Sequence, residues 1–79
     1  MITFLKGTLT DALPTQAVID VNGIGYEVLI PLSSFEKLPE LGQAVTLKTQ
    51  LVVREDSQTL YGFATDDERE LFKMIQGVS

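Results

Sequence analysis

Seventy-nine residues with a formal charge of −5, no histidine and no cysteine make one small acidic domain, without disulfides, thiolate metal sites, thiol nucleophiles or imidazole bases. Apolar residues at 44% and charged residues at 22% suit a folded globular chain rather than a disordered one. The negative balance is the wrong sign for a simple phosphate-binding surface. No apolar run approaches the roughly 20 residues that cross a bilayer. The start Met1-Ile2-Thr3-Phe4-Leu5-Lys6 lacks the basic-then-apolar plan of a signal peptide, so a cytoplasmic location and no membrane partner are expected.

Taken in chain order, the first two-thirds read as β-structure. Ile2 to Thr10 is rich in β-branched and large apolar residues, with Gly7 interrupting it as a bulge or bend would. Ala17 to Val21 and Ile24 to Ile30 flank Asn22-Gly23, a strong hairpin signal because both residue types tolerate positive φ. In the second of these strands Ile24, Tyr26, Val28 and Ile30 share a face. Leu32 to Leu38, opened by Ser33 and Ser34 and closed by Pro39, predicts a single helical turn, and Glu40-Leu41-Gly42-Gln43 a turn. Ala44 to Arg54 alternates best, with Val45, Leu47, Leu51 and Val53 on one face and Thr46, Lys48 and Gln50 on the other. After the polar tip Glu55-Asp56-Ser57 the chain returns as a strand over Gln58 to Phe63, completing a long hairpin that ends in two carboxylates.

At Thr65 the pattern becomes helical. Thr65-Asp66-Asp67-Glu68 matches a capping box, its acidic residues suit the helix dipole, and Leu71, Phe72, Ile75 and Val78 recur at helical spacing, with Gly77 as a C-cap. Five short strands with a small helical element between the third and fourth predict an all-β small barrel of the OB type, followed by one C-terminal amphipathic α-helix. That face of the helix packs on its own barrel, or part of it is buried by another subunit or a following domain.

Chemistry-bearing clusters are few. Glu55-Asp56 could be an acid/base pair, yet neighbours on a strand point to opposite faces and nothing else polar converges on them. Their bland reading is a solvated hairpin end. The acidic run Asp66-Asp67-Glu68 is explained as helix-start chemistry and lacks the loop spacing of an EF-hand. Val21-Asn22-Gly23-Ile24-Gly25 is followed by a strand, not the helix a dinucleotide fingerprint requires. No catalytic residue, metal site or cofactor is predicted.

Three segments together carry a resemblance: Asn22-Gly23-Ile24-Gly25-Tyr26-Glu27-Val28, then Leu51-Val52-Val53-Arg54-Glu55-Asp56, then Leu60-Tyr61-Gly62-Phe63. In order, spacing and distance from the start Met they resemble the N-terminal domain of the RuvA family. Glu68 to Ser79, with Glu70-Leu71-Phe72-Lys73 inside it, is similar to the start of the link to that family's second domain. The resemblance implies an OB-fold domain over 1–64 and, over 65–79, a helix that begins the link to a helix-hairpin-helix domain. It also implies a homotetramer with fourfold symmetry that spreads four-way Holliday junction DNA into an open square for branch migration in recombination, repair and the SOS response. A hexameric RuvB-type ATPase and a RuvC-type resolvase are the partners it implies in the full-length complex, and the domain itself would be non-catalytic. Glu55 and Asp56 match the family's acidic pin; four tips of two carboxylates would set eight negative charges round the crossover. That role reconciles the acidic charge with a DNA partner, because the tips would repel phosphates while affinity came from the second domain. Arg54, Lys6 and Lys48 are candidate phosphate contacts.

The chain stops at Gly77-Val78-Ser79, where the family would continue, so either an excised domain or a truncated gene product is expected, with weak junction binding or none. The alternative is a generic OB-fold module for single-stranded DNA or a protein. Such modules use aromatic platforms in a basic groove, and the charge disfavours that reading. A carboxylate hydrolase is the third class.

Overall fold

The computed structural model describes residues 2–76 of the chain, with the side chain of residue 76 left out. Strands β1 (Phe4–Leu13), β2 (Gln16–Val21) and β3 (Ile24–Leu29) precede the short helix α1 (Leu32–Phe35); β4 (Ala44–Arg54), β5 (Ser57–Phe63) and the helix α2 (Asp66–Gln76) follow. The strands close into a barrel in the order β1-β2-β3-β5-β4, with β4 returning to β1. Every neighbouring pair is antiparallel except β3 and β5, which touch in parallel at Leu29 and Tyr61. This is the expected five-stranded OB-type barrel with a C-terminal helix. Its interior is filled by Leu5, Leu9, Ala17, Ile19, Val28, Ile30 and Leu47, contributed by β1 to β4 and the residue after β3.

β1 closes the barrel by serving two partners. Phe4 to Thr8 pairs with β4, and Thr8 to Leu13 pairs with β2. The register slips between Leu9 and Asp11, so the bulge expected at Gly7 lies at Thr10. At the slip the Leu9 N–H donates to the Gln43 carbonyl and the Leu9 carbonyl accepts from the Gly42 N–H, tying β1 to the turn before β4. Gly7 answers a different need. A Cβ there would stand 2.2 Å from the Asp20 carbonyl oxygen, because β2 crosses β1 at backbone contact. Asn22 (φ 54°) and Gly23 (φ 90°) both take the left-handed conformation, as the hairpin signal predicts, and the Gly23 N–H donates to Asp20 Oδ1 at 2.7 Å.

The alternation of β4 holds, but its ends differ from expectation. Leu47 and Thr49 face inward; the Thr49 hydroxyl donates to the Ile2 carbonyl at 2.8 Å, which satisfies it in the core. Gln50, expected on the solvent side, is buried, whereas Val53 is 62% exposed. The outer face of the β4–β5 sheet, bearing Gln50, Tyr61 and Phe63, lies beneath α2, where the Phe72 ring sits 4.7 Å from Tyr61 and 5.1 Å from Phe63 between centroids. Val53 lies on the part of β4 that extends past its pairing with β1 and pairs with Gln58 of β5. Leu71 and Ile75 of α2 are 57% and 72% exposed, so among the described residues of the expected helix face Phe72 is the one most buried against the barrel. Val78 and the Gly77 cap lie outside the described residues.

Candidate functional site

β4 and β5 share seven residue pairs, from Lys48↔Phe63 to Arg54↔Ser57, and the chain reverses through the two residues Glu55 and Asp56. From the buried Gln50 to Arg54 the ribbon runs four residues, about 13 Å, out of the body of the domain. Every residue from Val53 to Gln58 is exposed. Both carboxylates stand in solvent, and no ion pair reaches either of them among the described residues. Alternation would set adjacent strand residues on opposite faces; in a two-residue turn both side chains lie at the apex, and nothing converges on them as an acid/base site would need. Among the described residues no group of three or more acidic side chains is placed to hold a metal ion.

The candidate phosphate contacts do not form one patch. Arg54 flanks the tip and pairs across the hairpin with Ser57. Lys6 and Lys48 sit on the outer face of β1 and β4, diagonal to each other across the pairs Lys6↔Thr46 and Phe4↔Lys48. Six residues of strand, about 20 Å, separate Lys48 from Arg54. The Lys48 ammonium lies 3.8 Å from Asp66, whereas Lys6 and Arg54 are exposed and make no ion pair with the described residues.

Behind the hairpin, α2 begins on a polar cluster. The Thr65 hydroxyl caps the helix by accepting from the Glu68 N–H at 3.2 Å. The other half of the predicted capping box goes elsewhere, because the Glu68 carboxylate turns to α1. It accepts from the hydroxyls of Ser33, Ser34 (3.1 Å) and Thr65 (3.1 Å) and from the Lys37 ammonium (3.4 Å). Burial alone raises the Glu68 pKa; the four donors more than reverse this and hold it below the usual 4.5. A depressed carboxylate pKa stabilises the fold fully above 4.5, and that contribution fades as pH falls through the lower folded value. Acid titration should therefore loosen α2 below pH 4.5, read as loss of helical circular dichroism, and Glu68→Gln should remove that step. An identical titration in the variant would count against the assignment.

Residues 1–62 match the model of the family described as the RuvA N terminal domain. The chain belongs to the RuvA family. It is 54% identical over all 79 residues to the Holliday junction branch migration complex subunit RuvA of Albidiferax ferrireducens. It is 56% identical over 75 residues to that of Stutzerimonas stutzeri and 53% identical over 75 residues to that of Opitutus terrae. The match takes in 95% to 100% of this chain and 37% to 42% of those RuvA proteins, so the chain spans about two-fifths of their length.

Within the RuvA domain the strand pattern and the hairpin tip were readable in the sequence. The partners of Glu68, 31 to 35 residues away in and just after α1, and the contact of Arg69 Nη1 with the Thr3 carbonyl at 2.8 Å were not. The only hint was local: two serines in a helical turn that needs no side-chain cap, since Pro31 opens α1 without one.

Proposed function

We propose that this chain is the N-terminal part of a scaffold that holds four-way DNA open for branch migration, and that it catalyses no reaction itself. Residues 1–64 form the barrel unit, and the helix starting at residue 65 begins the link to a DNA-binding part. Four copies arranged about a fourfold axis present their tips at the crossover, a RuvB-type hexameric ATPase drives migration, and a RuvC-type resolvase joins the complex in the cytoplasm. The observation that carries this reading is the tip: Glu55 and Asp56 stand exposed at the end of the longest hairpin and form no ion pair among the described residues. Unpaired carboxylates raise the energy of any phosphate that comes close, so they keep the centre open and guide separated strands. With a Debye length of about 8 Å at physiological salt, only phosphates near the tip feel them fully. Arg54, Lys6 and Lys48 contribute at most single contacts to the arms.

A single-strand module is disfavoured by the aromatic side chains. Tyr61 and Phe63 each pack against Phe72 rather than forming a platform for bases, and Phe4, 55% exposed, is separated from Phe63 in its cross-strand row by Lys48. Fluorescence anisotropy at low salt tests the two readings together. The 79-residue chain should bind neither a four-way junction nor oligo-dT tightly, and the same chain joined to the remainder of a RuvA relative should prefer the junction about ten-fold or more. Tight oligo-dT binding by the short chain would favour the single-strand module instead.

A further inference from the structure

We propose that Glu68 and Arg69 are positioning residues that together set the direction in which α2 leaves the barrel, and so where any chain beyond the helix is held relative to the hairpin tip. The geometry of this latch stands by itself; its consequence for DNA rests on the proposed function.

Apolar packing under α2 is slight. Phe72 meets Tyr61 and Phe63, but Leu71, Met74 and Ile75 are 57%, 76% and 72% exposed. Burial of one ring is a non-directional force and does not by itself fix the angle at which the helix leaves residue 65. Hydrogen bonds are directional, and here they supply what packing does not. Glu68 reaches one side, where Ser33, Ser34 and Lys37 of the α1 region donate to its carboxylate. Ser34 is fully buried, and its hydroxyl also accepts the Ala64 N–H at 3.0 Å, joining α1 to the chain that enters α2. Arg69, one residue on and so about 100° round the helix, reaches a different side. Its Nη1 donates to the Thr3 carbonyl ahead of β1 at 2.8 Å, and its Nη2 donates to Asp66 at 3.3 Å. Two tethers in different directions and one ring define an orientation that none of them defines alone.

The carboxylate is not needed for capping, since the Thr65 hydroxyl already receives the Glu68 N–H. Its acceptor capacity goes to α1. The leverage is considerable: the 11 residues of α2 span about 16 Å, and a pivot of about 20° would carry the far end about 6 Å.

Distance measurement between paired spin labels tests this without DNA, so its failure is separable from failure of the proposed function. The chain has no cysteine, which allows single labels at the exposed positions Glu27→Cys on β3 and Met74→Cys on α2. The parent pair should give one narrow distance. Glu68→Ala should broaden it by up to about 4 Å, the travel of Met74 for a pivot of about 20° at the start of α2, while the thermal midpoint stays far above the measuring temperature. Glu68→Gln, which keeps one acceptor oxygen, should restore part of the narrowing. If Glu68→Ala does not fold, Ser33→Ala, which removes an exposed hydroxyl, and Arg69→Lys should each broaden the distribution to a smaller extent. Unchanged widths in the folded variants overturn the proposal. So does broadening that appears equally between two labels placed on the barrel strands, which would mark a general loss of stability.

Discussion

Replacing Glu55 and Asp56 together by Gln, in this chain joined to the remainder of a RuvA relative, should tighten junction binding and make the bound junction less open. The substitution keeps size and hydrogen-bonding capacity and removes two charges per tip. Both residues are exposed and make no side-chain hydrogen bond or ion pair among the described residues, so thermal stability should change by less than about 0.5 kcal/mol. A phosphate about 4 Å from one carboxylate feels about 1 kcal/mol of repulsion in bulk water and about 4 kcal/mol at the effective dielectric of a protein surface. Losing one such contact is worth roughly five-fold or more in affinity. The gain should persist at moderate salt, because the interaction acts well inside the screening length. Binding titrations and fluorescence transfer between labelled arms measure both effects. Unaltered affinity together with unaltered arm geometry would show that the tip is only a solvated turn. The single changes Glu55→Gln and Asp56→Gln should each produce part of the effect, since no partner distinguishes the two side chains.

Gly7→Ala should be the most damaging single-methyl change in the barrel. The added carbon would lie 2.2 Å from the Asp20 carbonyl oxygen and 3.0 Å from its carbon, and both are backbone atoms that no rotamer change can move. β1 and β2 would have to separate at the place where β1 passes from one partner strand to the other, which opens the closure of the sheet. Overpacking of this kind costs about 3 kcal/mol or more. A domain of this length has roughly 4–12 kcal/mol in total. The melting temperature should fall by about 12–24 °C. Gly25→Ala is the matched control, because its new carbon would meet only the Val18 Cγ1 at 3.5 Å, an ordinary contact. If the two variants melt within a few degrees of each other, the close crossing of β1 and β2 is wrong.

Several features of this RuvA domain follow from short-range chemistry and could be read residue by residue. Asn22-Gly23 takes positive φ in both residues because the turn demands it, and the alternation through β4 marks two faces. Thr65 and Glu68 start α2 because the helix's first N–H groups need acceptors. The exposed tip at Glu55 and Asp56 follows from a polar pair between two apolar strands. These signals lie within a few residues of each other, so the sequence by itself determined five strands, their hairpins, the final helix and the place of the acidic apex.

What covers each face was decided only by the tertiary structure. Alternation separates Gln50 from Leu51 but does not show that α2 will lie over the former while the ribbon carries Val53 out of the barrel. Gly7 looked like a bulge because a glycine's local permissiveness is visible in sequence, whereas a carbonyl 13 residues away that forbids a side chain is not. Lys48 looked free until closure brought Asp66 within 3.8 Å. Glu68 looked like half of a local cap until two serines of α1 and Lys37 just after it, more than 30 residues earlier, came beside it as donors. In each case the deciding partner is distant in the chain, and barrel closure together with the docking of one helix brings it into contact.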